Sequence, residues 1–213
     1  MKFTTKLLTL AIASSAAIAP TAFAQSADLS IAGKIFPGAC TVQLGEGGVA
    51  DFGDIRADTL NADQVTHLEP VSLSMDVACQ SEVRFAFKGT DNVQGTSPNP
   101  QRFGLGLTPS DERIGSADLH LEEVLVDSGT GYATYSSNDG ATWSGSSLVR
   151  FFNISKSALI GFAKEASVVT GPAPMKAMQA RLDVKAQIQP KNDLTIDGDV
   201  QINGGATLNL IYL

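Results

Sequence analysis

The stretch that most constrains this chain is its last one. Val200, Ile202, Gly204, Ala206, Leu208, Leu210 and Tyr212 share one parity, and Gln201, Asn203, Thr207 and Asn209 between them are polar. Side chains of an extended backbone alternate between faces, so a period of two commits the segment to a β-strand with one buried side. Only Ile211 and Leu213 interrupt its polar face.

The same period recurs upstream. Val71, Leu73, Met75 and Val77 alternate with Ser72, Ser74, Asp76 and Ala78, which is the clearest half-buried strand of the N-terminal half. Met175, Met178 and Ala180 would suit a helix over 175–187. Leu182, Val184, Ala186 and Ile188 nevertheless alternate against Arg181, Asp183, Lys185 and Gln187, and Pro190 ends the run, so it reads as a strand. Shorter strands are expected at 40–44, where Cys40, Val42 and Leu44 face one way, at 49–55, at 103–108, at 132–135 and at 148–154, and 159–163 is a short apolar run. Glu122-Glu123 breaks the phase between Leu119, Leu121 and Val124, Val126, as a β-bulge would. The short 80–82 connection predicts a hairpin from the strand ending at Cys79 into one carrying Val83, Phe85 and Phe87, which Gly89 ends. Residues 89–115, rich in Gly, Pro and Asn, read as a long exposed excursion. With 20 glycines, 9 prolines and 17% charged residues, the chain is a turn-rich all-β domain rather than a disordered one.

Residues 1–24 read as a signal peptide. Lys2 and Lys6 precede an apolar run from Leu7 to Ala19, and Ala22-Phe23-Ala24 forms a small-x-small cleavage site. The run falls short of the about 20 residues that span a bilayer. Residues 25–213 are then one exported domain. The net charge of -7 leaves no basic face for phosphates, which argues against nucleic acid as a partner. Export also sets the reading of the two cysteines. Cys40 and Cys79 border apolar β-like runs in an oxidising compartment, and one structural disulfide is expected.

Catalytic and metal chemistry find little support. No GxSxG, HExxH, CxxC or phosphate-loop glycine pattern occurs, and the soft metal ligands amount to two Cys and two His. His67 and His120 read as surface histidines, and the same-side pair Asp197 and Asp199 as a solvated face. Asn138-Asp139-Gly140 matches a hairpin turn better than a calcium loop, whose later oxygen ligands are missing. The expectation is a protein that is not an enzyme and has no cofactor. Tyr132, Tyr135 and Trp143, in a Ser/Gly-rich stretch, form a candidate ligand platform on which a sugar face packs. That supports a rival reading, an exported carbohydrate-binding module.

Gly33-Lys34-Ile35-x-Pro37-x-x-Cys40 after a signal peptide, a second Cys closing a strand, and the run Gly205 to Leu213 with tyrosine next to last together resemble pilin-type subunits of the chaperone-usher pathway. More closely, the chain is similar to an uncharacterised exported fimbrial-like bacterial family, through Asp91-Asn92, Phe103-Gly104-Leu105-Gly106 and the terminal Tyr-Leu. The resemblance implies an immunoglobulin-like β-sandwich, incomplete for want of its final strand, here with a long loop-rich insertion. It implies as partners a periplasmic pilus chaperone, an outer-membrane usher, other fimbrial subunits and a glycan receptor. The strand gripped by the chaperone would carry Ala206, Leu208, Leu210, Tyr212 and Leu213. The donor segment before the first family strand is short, with only Leu29 and Ile31 alternating, which points to a terminal, tip or accessory subunit. Its route is the periplasm and then the cell surface.

Overall fold

The computed structural model describes residues 39–150 and 152–213, so Leu29 and Ile31 lie outside the described residues. The chain runs through β1 (Cys40–Leu44), β2 (Thr66–His67), β3 (Val71–Val83), β4 (Phe85–Asp91), β5 (Phe103–Gly104), β6 (Gly115–Val126) and β7 (Gly129–Thr130). It continues through β8 (Tyr132–Ser136), β9 (Ser144–Gly145), β10 (Phe152–Asn153), β11 (Leu159–Ala163), β12 (Met175–Ile188) and β13 (Ala206–Tyr212). Among the described residues three single 3₁₀ turns are the helical elements, and no helix is long and apolar enough to cross a membrane.

Two antiparallel sheets form an immunoglobulin-like β-sandwich. One has the order β1-β3-β12-β6-β10, with β2 beside β12 and β5 and β7 beside β6; the other has the order β13-β4-β11-β8-β9. The alternation read from the sequence decides which side chains meet between them. Leu73, Met75, Val77, Leu121 and Leu182 come from the first sheet, and Phe85, Phe87, Ile160 and Phe162 from the second. Edge-to-face ring pairs tighten this layer, Phe85 with Phe87 at 5.6 Å and Phe152 with Phe162 across the sheets at 5.3 Å. All of β11 is buried, because Pro172 covers its outer face at Gly161. A Cβ at Gly161 would stand 2.1 Å from Pro172 Cγ, so only glycine lets that segment lie flat.

The bulge expected at Glu122-Glu123 is present. Gln179 faces Leu125 while Arg181 faces Glu122, so two residues of β6 oppose Ala180, and Glu123 takes φ 52°. A second irregularity lies in the pairing of β3 with β12: Met175 pairs with Val83 but Ala177 with Ala78, so residues 79–82 of β3 stand against Lys176 alone. The Asp127 carboxylate accepts hydrogen bonds from Lys176 N and Ala177 N, both at 2.9 Å, and pairs with Lys164 Nζ at 2.8 Å. Burial pushes this carboxyl up, but the bonds from Lys164 and the two amides outweigh it and hold it below its ordinary value.

Three expectations need correction. The hairpin at 80–82 does not form: β3 runs on to Val83, which pairs with Met175, and the chain crosses between sheets at Arg84. Residues 49–55 are not a strand, and among the described residues no strand pairs with them. Phe52 packs instead in a second, smaller core with Leu105, Ile114, Ile188, Val200 and Ile202. The excursion after β4 is fastened rather than loose. Asp91, 4% exposed, accepts from Val93 N and Gly104 N at 3.1 Å each and pairs with Lys156 Nζ at 3.3 Å, while Ser97 and Phe103 are buried.

Candidate functional site: the open sandwich edge

β13 hydrogen-bonds to β4 along its whole length, from Ala206 opposite Asp91 to Tyr212 opposite Phe85, and among the described residues no strand pairs with its other side. The alternation begins at Val200, yet the strand begins at Ala206. β4 ends at Asp91, and the last ladder bond, Asn92 N to Gly205 O at 2.9 Å, closes the pairing there. Val200 and Ile202 turn away into the second core.

In an antiparallel pair, alternate residues exchange both backbone bonds with their neighbour and the residues between them face away. Gly205 O accepts from Asn92 N, and Leu213 N donates to Arg84 O at 3.0 Å, so the odd-numbered residues of this segment bond toward β4. The amides of Ala206, Leu208 and Leu210 therefore face the open side. The side chains of Ala206, Leu208, Leu210 and Tyr212 pack partly buried against the main core. Thr207 and Asn209 lie on the opposite face, where Asn209 Nδ2 donates to Thr90 Oγ1 at 2.9 Å. Leu213 departs from the expected set: its amide is spent on Arg84, it has the other parity, and it is 41% exposed.

β1 is the matching edge of the other sheet. Gln80 N donates to Ala39 O at 3.2 Å, so Cys40, Val42 and Leu44 turn their amides outward, and their side chains pack against the same core. Cys40 stands directly opposite Cys79 at a position without mutual backbone bonds, where side chains approach most closely, and the two are joined as a disulfide. At this end the two edges meet: Cys40 N donates to the Tyr212 hydroxyl at 2.7 Å. Sequence reasoning missed that bond, because no local pattern tells which strand borders another 172 residues away. What the edge offers chemically is backbone donors and acceptors above aliphatic side chains.

The other singled-out residues stay apart from this edge. Tyr132 and Tyr135 sit three apart on β8 and so project to opposite faces; Tyr135 packs against the main core, and burial pushes its phenol up. Trp143 donates its indole N–H to Gly140 O at 3.0 Å and lies against Gly171, whose φ of 90° and lack of a side chain make room for the ring. The three rings form no common platform. His67 is exposed on β2. His120 lies between Asn153 and Asp183 on the outer face of the first sheet, where burial, then Lys185, push its imidazole down against Asp118, Glu122 and Asp183. Asp197 and Asp199 are exposed on the segment before β13, and among the described residues no group of three or more metal-ligating side chains occurs.

Residues 29–101, which contain β1 to β4, match a family described as protein of unknown function (DUF1120). The chain is similar to protein GltF of Escherichia coli (strain K12), 23% identical across the whole of both chains. It is also similar to the uncharacterized protein YhcF of the same strain, 25% identical over 82% of this chain and 85% of the relative.

Proposed function

We propose that this chain is a structural or adhesive subunit of a chaperone-usher surface fimbria, in a terminal, tip or accessory position. It would be exported to the periplasm, held there by a pilus chaperone and passed through an outer-membrane usher to its neighbouring subunits. One observation carries the reading: the amides of Ala206, Leu208 and Leu210 face an edge with no strand paired to it among the described residues, above apolar side chains that belong to the core. An extended segment from a partner would bond to those amides and cover those side chains, which is recognition by strand addition. Such an edge left open is also a site for wrong pairing, so a protein carrying it needs a companion until it is filled. On this reading the protein binds rather than catalyses and needs no cofactor.

The test is expression of the full chain in the periplasm, alone and with an alternating Val/Ser strand fused through a flexible linker to its C-terminus. The chain alone should aggregate or be degraded, and the fusion should accumulate as a soluble monomer. A chain that is soluble alone, unfolds cooperatively and protects the Leu208 and Leu210 amides from hydrogen exchange would overturn the proposal.

A further inference from the structure

We infer that Tyr212 is the stop that sets how far an incoming strand can travel along the open edge, and hence its register; this rests on the strand-addition reading above. Tyr212 shares the parity of Leu208 and Leu210, so its ring enters the space between the two edges. There its hydroxyl accepts the hydrogen of Cys40 N at 2.7 Å. That amide is one of the outward-facing donors of β1, and the ring crosses from the edge of one sheet to the edge of the other to reach it. The amide is spoken for, and the gap beside it is filled by an aromatic ring.

Both sides of this closure are anchored. Cys40 is tied covalently to Cys79, and the residue after Tyr212 donates its amide to Arg84 O at 3.0 Å. A visiting strand therefore meets a fixed end at the disulfide side, which leaves it the outward-facing backbone from Ala206 to Leu210. At the rise of an extended chain, that stretch suits a strand of about six residues. Its alternate apolar side chains must fall beside Leu208 and Leu210, with a small residue where it meets the Tyr212 ring. The Tyr212 side chain thus works as a positioning residue: it selects partners by where their apolar residues stand relative to one end.

Tyr212→Phe separates this from a merely structural role, because it removes the hydroxyl that ties the ring to Cys40 N and leaves the ring free to swing out of the gap. The full chain is refolded with synthetic Val/Ser-alternating peptides of six and ten residues, and their preference is measured by competition. The unmodified chain should bind the two within about twofold, since the longer peptide finds nothing beyond Leu210. Tyr212→Phe should prefer the ten-residue peptide at least fivefold and exchange its Cys40 amide at least tenfold faster. In the unmodified complex, the ten-residue peptide should protect Leu208 and Leu210 and leave exchange at Cys40 unchanged. Binding with the same length preference in both proteins, or new protection of Cys40 in the unmodified chain, would overturn the stop and leave the open edge standing. If neither peptide binds either protein, the strand-addition reading itself falls, and the stop with it.

Discussion

β12 and β13 are both alternating strands, and they end in opposite situations. β12, with 14 residues, lies between β3 and β6 and is bonded on both sides, and its inward residues Met178 and Leu182 are buried. β13, with seven, is bonded among the described residues only to β4, and Leu208, Leu210 and Tyr212 are only partly buried although they point at the same core. Equal sequence patterns thus lead to unequal burial, and what differs is the number of neighbours. A strand with the alternation of a central one in the position of an edge one marks where the sandwich is open among the described residues.

The largest effect should come from detaching the edge opposite β13. Replacing Cys40 and Cys79 together by alanine reopens a 39-residue separation in the unfolded chain, worth roughly 4 kcal/mol on the loop-entropy account. Denaturant unfolding should show that loss, and exchange should quicken at β1 before β12. A loss spread evenly over both would mean that β1 is not a separable edge.

Next in size is the direct comparison of the two strands. Leu182→Ala removes a side chain 3% exposed and should cost about 3 kcal/mol, while Leu210→Ala, half-buried at the edge, should cost roughly half of that. Once a complementary strand is fused, the Leu210→Ala cost should rise toward the Leu182→Ala one. A gap between the two that stays the same with and without the fused strand would break the comparison.

The smallest effect belongs to Asp127, which holds two amides at the start of β12. Asp127→Asn should cost about 1 kcal/mol near neutral pH by weakening two amide bonds and an ion pair on a partly exposed carboxylate. The folded carboxyl is held below its ordinary value, so its contribution is complete above the unfolded value and is lost as pH falls through the folded one. Unfolding measured at pH 6 and again at pH 2.5 should show the variant's deficit shrinking toward zero in acid. A deficit independent of pH would assign the effect to packing.

Much of the fold was legible because alternation is local. β3, β12 and the bulge at Glu123 follow from side-chain period alone, and the disulfide follows from export and from two cysteines bordering apolar runs. Neighbours are not local, and the misreadings fall there. Val83 looked like the start of a new hairpin strand, but its partner is Met175, so β3 keeps going. The run 49–55 has strand-like residues, and among the described residues no strand pairs with it. Of the open edge, the inward set Ala206, Leu208, Leu210 and Tyr212 was readable as a parity; the closure of its end by a hydroxyl on a backbone amide was not. The aromatic trio failed for a related reason, since a spacing of three on a strand divides rings between faces.

The crossover at Arg84 gives the molecule a load path. A pull along β13 bears on the ladder to β4 in shear, because antiparallel bonds stand perpendicular to the strands and share the tension. β4 hands that tension through Arg84 to β3, the next strand along the same backbone. There it meets Cys79, whose covalent bond to Cys40 passes it into the other edge, and the Tyr212 hydroxyl on Cys40 N brings the circuit back to the strand being pulled. Force applied at the open edge thus has one covalent route, the disulfide, to the edge of the other sheet.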